Sequence, residues 1–134
     1  MIISESNGAI INTKEVYIHD DFFVSLEYQQ NRNELILNLK KHYDSSQKYV
    51  IRFIGVIGFD ITSCNFWGYS ECVLDFEYVI SDERIIIPKL KKKWIDVPNI
   101  STDVDILYSN HIETLITFSS GDELRVACES IEII

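Results

Sequence analysis

Tyr49–Ile80 reads YVIRFIGVIGFDITSCNFWGYSECVLDFEYVI. Large side chains recur at every second position, which is the period of an extended strand. In the first half, Tyr49, Ile51, Phe53 and Ile57 share one face. Val50, Ile54 and Val56 share the other. Both faces are apolar, so this strand is expected to be central in its sheet. Gly55 and Gly58 lack side chains and permit a bulge, a bend or a close neighbour. In the second half the alternation is one-sided. Cys72, Leu74, Phe76, Tyr78 and Ile80 oppose Glu71, Asp75 and Glu77. That pattern predicts a strand with its apolar face on the core and its acids in solvent.

The same period extends outward in both directions. Phe22–Tyr28 and Glu34–Lys40 alternate on either side of Gln30-Asn31-Arg32-Asn33, which predicts a hairpin. Ile112–Phe118 and Leu124–Cys128 flank Ser119-Ser120-Gly121-Asp122 and predict another. Ile131–Ile134 breaks the preceding alternation, and a bulge near Ser130 would restore it. Asn7-Gly8 predicts a small N-terminal hairpin or edge strand. Glu15–His19 and Ile85–Ile87 are short strand candidates, and Thr62–Phe66 is a weaker one. Pro88 ends its strand or places it at an edge. Thr102 followed by Asp105 resembles a capping box, so one short helix is expected near Asp103–Tyr108. The expected fold is mainly β. It is a single domain over residues 1–134, an antiparallel sandwich or curled barrel of about ten strands built from sequential hairpins.

Composition narrows the function classes. The chain has 134 residues, enough for one core, with a formal net charge of −9. The acidity sits toward the two ends, while Asn31–Trp94 is slightly basic. Nucleic-acid binding is disfavoured, because phosphate contacts need clustered Lys and Arg. A basic protein partner is favoured, because complementary charge speeds encounter. Net acidity also keeps a protein soluble whatever it binds. Three cysteines, Cys64, Cys72 and Cys128, show no CxxC spacing, so a disulfide framework or zinc knuckle is not expected. The N-terminus has no basic n-region, and no apolar run approaches the ~20 residues of a membrane span. A cytoplasmic protein with no membrane partner is expected.

The chemistry-bearing residues do not assemble into a reaction. His19-Asp20-Asp21 is the densest cluster of ligand types, but adjacent residues on extended chain point to opposite faces and do not converge alone. Asp103 and Asp105 read as acids in the first turn of a helix. His19, His42 and His111 lie in or beside loops, and no G-x-S-x-G occurs. Cys72 and Cys128 read as small core residues. The run Lys89–Lys93 reads as a guard on an edge strand. No metal, no cofactor and no catalysis are expected. The surface singled out for partner binding is Trp67, Tyr69, Glu71, Asp75 and Glu77, since aromatics supply contact area and acids steer a basic partner. The ordinary reading of the same pattern is a solvated sheet face with one core Trp.

Four segments carry a resemblance: Ile18-His19-Asp20, Phe53–Phe59 (FIGVIGF), Trp67-Gly68 and Phe118–Val126 (FSSGDELRV). Together they resemble small uncharacterised bacterial β-proteins, some of which are similar to immunity proteins of polymorphic toxin systems. The resemblance implies a non-enzymatic inhibitor that binds and blocks a cognate toxin, and the acidity of the chain suits a basic one. It transfers no site residue. The alternative expectation is a β-sandwich that binds a small molecule or carbohydrate on Trp67 and Tyr69. A hydrolase would need a deep pocket where His19 or His111 meets a carboxylate.

Overall fold

The computed structural model describes residues 1–62, 71–98 and 103–134. Nine strands are described: β1 (Ile2–Ile3), β2 (Phe22–Gln29), β3 (Glu34–Lys40), β4 (Lys48–Ile54), β5 (Gly58–Ile61), β6 (Val73–Tyr78), β7 (Ile112–Phe118), β8 (Glu123–Cys128) and β9 (Ser130–Ile133). They form two antiparallel sheets. The first has the order β1-β9-β4-β3-β2, and the second β5-β8-β7-β6. Two short helices follow β6, α1 (Ile86–Ile95) and α2 (Val104–Leu107). The fold is the expected mainly β sandwich, not a closed barrel.

The expected hairpins β2–β3 and β7–β8 form. Leu26 stands opposite Leu37, and Ile116 opposite Leu124. The inner face of the first sheet carries Leu35, Leu37, Leu39, Ile51, Phe53 and Ile131. That of the second carries Val73, Phe76, Ile116, Phe118, Leu124 and Val126. All belong to one core cluster. Phe23 meets Phe118 edge to face, with centroids 5.7 Å apart, and ties the two layers together. Each buried Leu, Ile or Phe contributes about 1.5–3 kcal/mol from removal of its surface from water.

Two alternation breaks turn out to be changes of sheet. The expected single strand Tyr49–Phe59 is bent at Gly55, which has φ +64. Residues before it pair in the first sheet and residues after it in the second. A side chain at Gly55 would also meet Glu129, which lies where the chain crosses back from β8 to β9. The break before Ile131 is that return crossing, not a bulge.

The N-terminal expectation, a hairpin or an edge strand, is met by the edge strand: β1 lies at the edge of the first sheet beside β9 and is followed by a 3-10 segment, Glu5–Asn12. Two strand expectations are corrected. Glu15–His19 forms no strand. Ile85–Ile87 enters α1, where Pro88 sits in the first turn and its missing N–H costs no helical bond. Lys89–Lys93 therefore lies on a helix, not on a strand edge. The short helix expected near Asp103–Tyr108 is α2. Thr62–Phe66 falls outside the described residues beyond Thr62.

The start of α1 is capped from another strand. No local side chain caps it. Glu113 of β7 is fully buried and accepts from Ile85 N at 2.8 Å, from Ile87 N at 3.0 Å and from Arg125 Nη1 at 3.0 Å. This carboxylate holds the helix onto the outer face of the second sheet.

Candidate functional site

β6 ends its sheet, so among the described residues one of its edges has no strand neighbour. That edge forms one wall of a groove of about 560 Å3. The opposite wall is the segment from Ile11 to His19. Both ends are fastened. Val73 N donates to Asp21 O at 2.9 Å, and Asp20 N donates to Val73 O at 2.8 Å. At the far end Tyr78 N donates to Asn12 Oδ1 at 3.1 Å. The Tyr78 hydroxyl and Arg84 both donate to Glu5, at 2.7 and 2.8 Å, which pins the 3-10 segment in place.

A bulge between Val73 and Asp75 sets which side chains face this groove. Before it, Glu71 and Val73 point inward. After it, Asp75 and Glu77 lie on the outer face and Phe76 points inward. Leu74 is consequently exposed, at 42%; past the end of β6, Ile80 is also exposed, at 52%, and Val79 is buried. The uniform alternation expected for Glu71–Ile80 is thus corrected.

Glu71 does not belong to the exposed face. It is 0% exposed. Its carboxylate accepts from Ser119 Oγ at 3.0 Å and from Ser120 N at 2.9 Å. It closes the β7–β8 turn, where Gly121 takes φ +88. A buried carboxylate needs such donors, and here they make Glu71 architectural. Trp67 and Tyr69 lie outside the described residues.

Asp75 and Glu77 are brought together. The Glu77 carboxyl is held above the usual carboxylate range. A hydrogen bond with Asp75 is the largest cause, followed by burial and the charges of Asp75 and Glu83, with Arg125 opposing. Two carboxylates this close resist joint ionisation, and a cation between them removes the penalty. Glu83 also lines the groove, and Tyr17, 58% exposed, stands on the opposite wall. Register places Asp60 and Glu123 on the same outer face, beside Arg125.

A second polar centre escaped the sequence reading. Asp21 is buried at the start of β2. It accepts from Tyr49 Oη at 2.5 Å, His42 Nδ1 at 2.9 Å, His42 N at 3.0 Å and Lys41 Nζ at 3.3 Å. Burial acts to raise its pKa, but the Tyr49, His42 and Lys41 interactions outweigh burial and lower it. Burial and the Asp21 carboxylate push the Tyr49 phenol well up. Lys41 Nζ also sits 4.4 Å from the Tyr49 ring centroid. The Asp21–His42 pair has the geometry that orients a general base. Among the described residues no Ser, Thr or Cys side chain bonds His42, so the centre reads as a tie between β2 and the β3–β4 connection.

The other polar candidates stay scattered. His19 Nδ1 lies 3.1 Å from Asp20 Oδ2, with both side chains about half exposed, while Asp21 points elsewhere. His111 Nδ1 is buried without a partner among the described residues, and burial lowers its pKa. His19 lines the open groove beside β6, and His111 lines a separate open pocket with Glu5 and Glu129. No group of three or more His, Cys, Asp or Glu among the described residues is placed to hold a metal. Cys128 is buried and its thiol is pushed up to about 12 by burial, whereas Cys72 is partly exposed. No helix among the described residues is long and apolar enough to cross a membrane.

No protein-family model matches the chain, and no curated protein matches it.

Proposed function

We propose that this chain is a non-enzymatic protein-binding module. It meets a basic partner with the acidic outer face of its second sheet, centred on Asp75 and Glu77. The reading is carried by the pairing of those two carboxylates on the edge strand that lines the groove, where a hydrogen bond with Asp75, then burial and like charge, hold the Glu77 carboxyl up. Such a pair costs free energy in the unbound protein and is relieved when a Lys or Arg arrives. Exposed Leu74, Ile80 and Tyr17 supply apolar contact area around it. The resemblance to immunity proteins suggests the partner class, a basic toxin blocked by steric occlusion in the cytoplasm.

The test is association with the product of the adjacent gene, together with protection of cells that express it. Asp75→Asn/Glu77→Gln is expected to slow association by about tenfold at low salt and to flatten its salt dependence, since steering falls with ionic strength. Absence of both binding and protection would sink the toxin-inhibitor version.

A further inference from the structure

We infer that the free edge of β6 is a strand-addition site for an extended segment of the partner carrying basic residues at alternate positions. This inference rests on the reading of the acidic face above and specifies how that face is used.

The hydrogen-bond pattern locates the open groups. Val79 N donates to Glu113 O of β7 at 2.9 Å. Alternation along an antiparallel pair then turns the main chain of Glu77 and Asp75 toward β7. It turns that of Tyr78 and Phe76 toward the groove. Tyr78 N is taken by Asn12. Val73 is taken by Asp20 and Asp21. Phe76 lies between these fastened points. Its N–H and C=O face the groove and have no partner among the described residues. An edge group of this kind is a template for another chain. At ~3.4 Å per residue, the interval between Val73 and Tyr78 admits about three or four residues of added strand.

Register then fixes the side-chain pattern. A residue directly opposite Phe76 exchanges its N–H and C=O with it and points its side chain to the same, apolar side. Its two neighbours point to the outer face, beside Asp75 and Glu77. The fitting segment is therefore basic–apolar–basic. A second copy of this chain is disfavoured as occupant, because pairing β6 with itself would set Asp75 and Glu77 against the same acids.

The probe is the blocked peptide Thr-Lys-Val-Lys-Val-Lys-Thr, measured by calorimetry in three forms: unmodified, N-methylated at both valines, and N-methylated at the lysines. Valine amides face β6 in this register and lysine amides face away. The expected result is at least about tenfold weaker binding on valine methylation, with lysine methylation changing affinity by less than about threefold. Asp75→Asn/Glu77→Gln is expected to abolish binding of the unmodified peptide. Equal affinities, or equal losses, for the two methylated peptides would overturn strand addition and leave the acidic-face reading standing. No binding of the unmodified peptide would overturn both.

Discussion

Replacing Glu113 by alanine is expected to lower the unfolding free energy by about 4 kcal/mol, within the range for breaking a buried ion pair. Three donors lose their acceptor at once: Ile85 N, Ile87 N and Arg125 Nη1. The carboxylate is fully buried and Arg125 largely so, so water replaces little of what is lost. Ile85 and Ile87 begin α1, so the helix should detach before the sandwich melts. Glu113→Gln keeps the shape but turns one acceptor into a donor facing an N–H, and is expected to cost about 2 kcal/mol. Urea unfolding followed by circular dichroism measures both. A change below ~1 kcal/mol for Glu113→Ala would contradict the capping role, since that is the scale of an ordinary surface substitution.

Replacing Asp21 by alanine is expected to cost about 3 kcal/mol, the lower end for a buried ionic contact, because Lys41 and His42 reach solvent and recover part of the loss. The pH dependence has a definite sign. Asp21 has its pKa depressed in the folded protein. Its contribution is therefore present above the unfolded value of about 3.9 and is lost as pH falls through the lower folded value. Asp21→Asn should flatten the fall in stability in that acid window, while leaving the profile above pH 6 parallel to that of the parent. An unchanged acid limb in urea titrations across pH would rule out Asp21 as its source.

Period-two alternation made the fold class legible. β3, β7 and β8 follow directly from it, because each keeps one face on the core throughout; β2 pairs as expected, but a bulge between Phe23 and Ser25 sets Phe23 with Leu26 against the core and leaves Val24 exposed. Alternation failed where the chain changes sheet. Residues around Gly55 and Glu129 continue an apolar pattern while their hydrogen-bond partners change, and the pattern does not record partners. It failed again at the bulge in β6, where one extra residue moved Glu71 inside and Leu74 outside. Asp75 and Glu77, beyond the bulge, kept the outward placement their spacing implied. The Asp21 centre was illegible for another reason. Its partners lie 20 to 28 residues along the chain, and nothing local to His19-Asp20-Asp21 marks which acid is buried. The helix at Ile86–Ile95 was masked by Pro88, which reads as a strand terminator unless the first turn of a helix is considered.

The most direct test of the central claim is a 15N NMR titration of the protein with the unmodified Lys-Val peptide. Strand addition at β6 predicts amide shifts concentrated at Val73–Tyr78 and along the facing wall from Ile11 to His19, absent in Asp75→Asn/Glu77→Gln. Shifts centred instead on the outer face of the first sheet, around Val50 and Arg52, or persisting unchanged in the neutralised variant, would contradict it.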